Sequence, residues 1–152
     1  MKNKKIWIKN ILIPIIIGGI VGLVISKFMD YNDLSKPPFS PLGFLFGIVW
    51  TILYILMGVS YSILDINNLI DKKTKIIYYT QLIVNIIWPV LFFIFKARLL
   101  SCVWIILLFV LVLYMIITFY KKNKLSAYLQ IPYLLWTAFA TYLNIGVYLL
   151  NR

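Results

Sequence analysis

The chain has 152 residues, of which 63% are hydrophobic and 12% are charged, and its mean hydropathy is +0.97. A soluble domain is usually about half apolar and a quarter charged, so this composition excludes a water-soluble globule and indicates a membrane protein. The net charge of +11 comes from basic residues that lie between apolar segments, which is typical of topology signals rather than of nucleic-acid binding. The chain has no histidine and no glutamate, which excludes most catalytic triads and metal centres.

Five long uncharged apolar segments occupy most of the chain. About 20 apolar residues cross a bilayer as a helix, and the segments lack the alternation typical of barrel strands. A signal peptide at the basic N-terminus is disfavoured because no small-residue cleavage site follows it. We therefore predict an all-α integral membrane bundle that forms one domain, 1–152. Its five transmembrane helices are predicted at about 6–28, 41–65, 75–95, 99–120 and 125–151, with a lid loop at 29–40.

The basic residues are distributed unequally between the two ends of these helices. Ten Lys residues lie on the side of the N-terminus, and five Lys or Arg residues lie on the opposite side. The positive-inside rule then predicts a cytoplasmic N-terminus, with the C-terminus and the lid loop outside.

Three prolines lie at the end of the lid loop and directly after it (Pro37, Pro38 and Pro41), so the 36–41 stretch cannot form a regular helix. Ser40 followed by Pro41 is typical of an N-cap and first helical position, which predicts that the second helix begins there. One interpretation is a rigid turn between two spans. The other is that the rigid loop holds Tyr31 and Phe39 over the mouth of a cavity.

The second helix carries Phe46, Trp50 and Tyr54 on one face. Tryptophan and tyrosine in membrane proteins usually lie in the interfacial belts, so a deep Trp50 requires another explanation. The aromatic face either packs against a neighbouring helix or forms a platform for a flat ligand.

The third helix places Gln81, Asn85 and Trp88 on one face. Side-chain amides within a span usually face the bundle interior, where they either form interhelical hydrogen bonds or contact a ligand. Pro89 is predicted to loosen the helix directly after Trp88.

The fifth helix adds Trp136, with Ala140 one turn later leaving room beside a large ring. Three helices thus each contribute one interior tryptophan: Trp50, Trp88 and Trp136. Such a set suits a large, flat, apolar ligand. It does not suit proton transport, because all four Asp residues lie at the ends of spans.

Two G-x-x-x-G patterns, Gly18 to Gly22 and Gly43 to Gly47, allow close approach of helices. Either pattern would serve packing within one chain or dimerisation.

The order of these residues resembles that of the TspO/MBR family, the tryptophan-rich sensory proteins of bacteria and the translocator proteins of mitochondria. The first helix matches only in being apolar. The matching positions are Tyr31, Leu34-Ser35-Lys36-Pro37, Phe39, Pro41, Phe46, Trp50, Tyr54, Met57-Gly58, Gln81, Asn85, Trp88, Phe92-Phe93, Pro132-Tyr133, Trp136, Phe139-Ala140 and Leu143-Asn144.

The resemblance implies a five-helix bundle in the bacterial cell membrane, commonly a homodimer, with a pocket capped by the first loop. Family members bind porphyrins such as protoporphyrin IX, haem and drug-like ligands, and animal members bind cholesterol. The implied ligand-binding residues are Tyr31, Phe39, Pro41, Trp50, Tyr54, Asn85, Trp88, Trp136 and Ala140. Some bacterial members are reported to break down protoporphyrin in light, which would give Trp50 and Trp136 a catalytic role.

The chain departs from the family at three positions. The family usually has tryptophan at Asp30 and Phe39, and often has a second proline at Leu42. Because histidine is absent, stacking of a metal-free porphyrin is favoured over axial ligation of haem, and Lys36 is the best-placed partner for a propionate.

Three functional hypotheses follow. The first is a membrane receptor or carrier that binds porphyrins or sterol-like molecules and requires no cofactor or metal. The second is a light-dependent enzyme that degrades porphyrin. The third is a regulatory membrane partner without a dedicated small ligand, which predicts a collapsed interior.

Overall fold

The computed structural model describes residues 1–152 and contains helices and turns but no strands. A 3₁₀ turn (Tyr31–Asp33) lies in the lid loop, and a π turn (Val90–Ile94) continues the third helix. The α-helices are α1 (Lys2–Ser26), α2 (Gly43–Ile66), α3 (Lys72–Pro89), α4 (Arg98–Tyr120), α5 (Lys124–Tyr128) and α6 (Ile131–Leu150).

Five segments are long and apolar enough to cross a membrane. They are Lys2–Ser26, Gly43–Ile66, Lys72–Ile94, Arg98–Tyr120 and Lys124–Leu150. The predicted all-α bundle of five spans is therefore confirmed.

Helix α2 begins later than the proline pattern predicts. Its first helical residue is Gly43, and Leu42 is the extended N-cap residue. The Ser40 hydroxyl donates a hydrogen bond to the Pro37 carbonyl at 2.6 Å, so it closes a turn inside the lid loop. The prediction that Ser40 caps the helix is wrong, because the prolines supply a local acceptor that the Ser40 side chain prefers.

Proline also shapes the third and fifth spans. After Pro89 the helix widens into the π turn, in which the Phe95 N–H donates to the Val90 carbonyl at 3.0 Å. The predicted loosening at Pro89 is confirmed. The last span is divided between α5 and α6, and Pro132 lies in the first turn of α6. Backbone N–H groups in the first turn have no partner within the helix, so the missing N–H of proline costs nothing there.

Helix α4 packs against α3 and α6, and their buried side chains form the main core with α2. Helix α1 packs chiefly along α2. The backbone of α1 touches α2 at Gly58, where an added Cβ would lie 2.5 Å from the Ile11 Cα atom, and at Gly18 an added Cβ would clash with the Tyr54 ring of α2. At Gly22 and Gly47 an added Cβ would meet nothing within 4 Å. The G-x-x-x-G patterns therefore do not bring α1 and α2 into uniform contact, and the helices separate toward the lid loop.

Candidate ligand-binding site

A cavity of about 530 Å³ lies in the half of the bundle nearest the lid loop, between α1, α2, α3 and α6. Its volume falls within the range of about 300–1,000 Å³ that is usual for small-molecule sites. Most of its lining is hydrophobic. Of the nine predicted ligand-binding residues, seven line this one cavity: Tyr31, Trp50, Tyr54, Asn85, Trp88, Trp136 and Ala140.

Aromatic rings contact one another around the cavity wall. Tyr31 packs edge-on to Phe46 with ring centroids 4.9 Å apart, and Phe46 packs edge-on to Trp136 at 5.9 Å. Trp50 lies 5.7 Å from Tyr54 on the same helix face. Edge-to-face pairs fix ring orientation, so the wall presents aromatic surfaces in set positions.

The amides of α3 form interhelical hydrogen bonds. The Asn85 amide oxygen accepts from the Tyr54 hydroxyl at 2.7 Å, and its NH₂ group donates to the Tyr133 oxygen at 2.6 Å. The Tyr133 hydroxyl in turn donates to the Gln81 amide oxygen at 2.7 Å. Asn85 thus lines the cavity and also joins α2, α3 and α6. The interhelical hydrogen bond predicted as one alternative for this amide is therefore present, but the spacing did not identify its partner Tyr133, which lies 48 residues away in sequence.

Trp88 is oriented by a residue outside the predicted set. Its indole N–H donates to the Asn144 amide oxygen at 2.7 Å, and the Asn144 NH₂ group lies 2.9 Å from the Cys102 sulfur. The available signal for Asn144 was a polar residue in the last span, about two helical turns after Trp136 and one turn after Ala140.

Trp136 is the exception among the polar groups near the cavity. Its indole nitrogen is buried and has no hydrogen-bond partner. A buried donor left unpaired costs about 1–3 kcal/mol, and because this nitrogen exposes almost no surface, an acceptor on a ligand would reach it only if the Trp136 ring turned.

Phe39 and Pro41 do not line the cavity. Phe39 has a φ of 67°, in the left-handed region, and its side chain is 91% exposed. The Pro41 carbonyl accepts from the Tyr31 hydroxyl at 2.7 Å, so Pro41 positions a cavity residue. Direct ligand contacts by Phe39 and Pro41 stay predictions.

Lys36 forms hydrogen bonds within the lid loop. The Lys36 ammonium donates to the carbonyls of Tyr31 at 2.9 Å and Leu34 at 3.2 Å, and it lies 4.7 Å from the Tyr31 ring centroid. Two of its three N–H donors are thus occupied, which weakens its expected role as a propionate partner. Burial raises the pKa of the Tyr31 phenol, so the ring stays neutral beneath this cation.

Asp30 has a structural partner that explains its charge at this position. Its carboxylate lies 2.7 Å from the Arg98 guanidinium, and that Arg98 side chain is only 13% exposed. Arg98 also stands 4.6 Å from the ring of Phe92, which lines the cavity. The ion pair therefore connects the start of the lid loop to α4 beside the cavity.

The amino-acid sequence is similar to those of known proteins of one family. The model of the TspO/MBR family matches residues 10–150. The chain is 40% identical over 122 residues to the tryptophan-rich protein TspO of Archaeoglobus fulgidus, which covers 80% of this chain and 79% of that protein. It is 31% identical over 153 residues to the translocator protein homolog of Schizosaccharomyces pombe, covering 97% and 93%. It is 30% identical over 135 residues to the translocator protein of Bos taurus, covering 84% and 80%.

Proposed function

Because the chain belongs to the TspO/MBR family of integral membrane proteins, we propose that it is a receptor or carrier for porphyrins and other flat apolar ligands. The observation that carries this proposal is that Trp50, Trp88 and Trp136, from three different helices, line one cavity of about 530 Å³. Protoporphyrin IX is the probe of choice, and sterol-like molecules belong to the same class of apolar, ring-containing ligands.

The chemistry of the lining suits a metal-free ring system. Aromatic faces of the cavity wall supply stacking surfaces for such a ring. No histidine is available to ligate iron. The propionates of a porphyrin would lie toward the lid loop. There Lys27, exposed between the cavity-lining residues Ser26 and Met29, is a freer cation than Lys36.

Fluorescence titration of the purified protein with protoporphyrin IX tests the proposal. Saturable quenching of tryptophan emission is expected. Aromatic pairs are each worth about 0.5–1.5 kcal/mol beyond burial, so a Trp50→Ala, Trp136→Ala double variant should bind about tenfold more weakly or worse. Trp7→Ala, which removes a tryptophan outside the cavity lining, is the matched control. Unchanged affinity in the double variant would refute the site.

A light-dependent degrading activity is the second candidate, because Trp50 and Trp136 line the same cavity and would both contact a bound photosensitiser. Illumination of a stoichiometric complex in air should then give a new absorbing product. The product should be absent without oxygen and absent in a Trp50→Phe, Trp136→Phe variant. A product formed equally by that variant would assign the chemistry to the porphyrin alone.

Two further properties belong to this proposal. The cytoplasmic N-terminus with an external lid rests on the unequal distribution of basic residues. A homodimer rests on the family resemblance. The third hypothesis, a regulatory partner without a small ligand, predicts a collapsed interior. The cavity between the helices therefore favours the first two hypotheses over it.

A further inference from the structure

Helices α1 and α2 are in close contact at one end and apart at the other. Near the end distant from the lid loop, an added Cβ at Gly58 would lie within 3.0 Å of backbone atoms of α1. At Gly18 an added Cβ would clash with the Tyr54 ring of α2. Beyond that contact, toward the lid loop, an added Cβ at Gly19, Gly22 or Gly47 would meet nothing within 4 Å. The gap between α1 and α2 therefore widens toward the lid loop.

This opening is continuous with the cavity. Gly19 and Gly22 of α1 and Gly47 of α2 all line the cavity, and all three are exposed. In a chain whose helices span a membrane, the surface between two neighbouring spans faces lipid. Residues without side chains thus separate the cavity from the bilayer at this point.

The lid loop, by contrast, is fastened to α6. Ser35 and Asn151 exchange two hydrogen bonds, with Ser35 N–H to the Asn151 side-chain oxygen at 3.1 Å and Asn151 NH₂ to the Ser35 carbonyl at 2.8 Å. The Tyr142 hydroxyl donates to the Pro38 carbonyl at 2.7 Å. Entry under this part of the lid would break all three bonds.

The lid is also packed and paired elsewhere. The Pro37 ring lies so close to Gly146 that an added Cβ would stand 2.5 Å from it. The Asp30–Arg98 ion pair holds the start of the loop to α4. These contacts favour a lid that stays closed while the gap between α1 and α2 stays open.

We propose that ligands enter and leave the cavity laterally, from the bilayer, between the lid-side halves of α1 and α2, with Gly22 and Gly47 as the edges of this portal. The inference rests on the proposed function and narrows its ligand class. The protein takes up flat molecules that are already dissolved in the membrane, because glycine edges admit a thin ring system without any side chain having to move.

Stopped-flow quenching by protoporphyrin IX in phosphatidylcholine nanodiscs tests the portal. Gly47→Phe fills the gap, and its association and dissociation rates should both fall, by about tenfold or more. Ile48→Phe, which places the same ring at the neighbouring, exposed position outside the cavity lining, should keep wild-type rates. Asn151→Ala, which frees the lid, should also keep them. Faster exchange in Asn151→Ala with wild-type rates in Gly47→Phe would overturn the portal and favour the lid route. A raised dissociation rate in Gly47→Phe would identify a lost ligand contact instead.

A second measurement requires no porphyrin. Doxylnonane, a nitroxide alkane that dissolves in the bilayer core, should quench the tryptophans lining the cavity through an open portal. Quenching should therefore be weaker in Gly47→Phe than in wild type or Ile48→Phe. Equal quenching in all three, or a disulfide-linked dimer in Gly47→Cys that shows a second copy covering the gap, would overturn the proposal. If wild type binds no porphyrin but this quenching difference appears, the proposed function fails and the lateral opening stands.

Discussion

Gly58 is the residue whose replacement should disturb the bundle most for the smallest chemical change. In Gly58→Ala the new methyl carbon would lie 2.5 Å from the Ile11 Cα atom, 2.6 Å from the Asn10 carbonyl oxygen and 3.0 Å from the Ile11 nitrogen. All three atoms belong to the backbone of α1, so no side-chain rotation relieves the clash. The two helices have to move apart.

The size of that movement and its cost follow from the geometry. Non-bonded carbon atoms prefer separations of about 3.5–4.0 Å, so α1 has to retreat by about 1 Å along this contact. Overpacking of a closely packed site costs about 1–3 kcal/mol. Replacing glycine by alanine inside a helix otherwise gains about 0.5–1 kcal/mol. Gly47→Ala receives that gain without a clash, because nothing lies within 4 Å of the added carbon.

Thermal unfolding in dodecyl maltoside micelles, followed by tryptophan emission, compares the two variants. The helix gain is common to both, so the difference between their free energies of unfolding isolates the clash, at about 1–3 kcal/mol. For a chain of this size each kcal/mol shifts the midpoint by about 2–4 °C. Gly58→Ala should therefore unfold below Gly47→Ala by at least about 2 °C. Equal midpoints would refute the close α1–α2 contact.

Three further predictions concern the polar groups near the site. Tyr133→Phe leaves the Gln81 amide oxygen without its donor, so the free energy of unfolding should fall by about 1–3 kcal/mol in the same assay, and a wild-type midpoint would contradict the network. Asp30→Asn removes the charge that compensates Arg98, so chymotrypsin should cleave the lid loop after Tyr31 or Phe39 faster than in wild type, whereas unchanged cleavage would show that the ion pair does not hold the lid. Burial raises the pKa of the Tyr31 phenol above its ordinary value of 10.0. The stabilisation from the buried neutral phenol is complete below pH 10.0 and is lost as pH rises through the pKa of Tyr31 in the folded state. The thermal unfolding midpoint should therefore fall less at alkaline pH in Tyr31→Phe than in wild type. An identical fall would contradict the burial of this phenol.

Helical periodicity was sufficient to predict much of the site. Residues spaced by three or four positions lie on one helix face, and a polar or large aromatic residue within a span faces the bundle interior more often than lipid. That reasoning identified Trp50, Asn85 and Trp136, which the structure brings to one cavity. Short connections and uniformly hydrophobic segments were sufficient to predict the number of membrane spans and their approximate positions.

The lid loop could not be predicted in the same way. The exposed Phe39 has a backbone in the left-handed region, which is uncommon for a residue other than glycine and which proline patterns do not predict. The choice between capping α2 and closing a lid turn at Ser40 depends on which acceptor lies nearer, which is a tertiary fact. The widening gap between α1 and α2 is also a tertiary property. Gly58 contacts the backbone of α1, whereas an added Cβ at Gly47 of the same helix would meet nothing, and the sequence does not distinguish the two glycines.

Determination of the structure of the protein in complex with protoporphyrin IX tests the central claim most directly. We expect ligand density between Trp50, Asn85 and Trp136, with the ring plane against the aromatic wall. Density confined to the outer surface of the bundle, with this cavity empty, would contradict it.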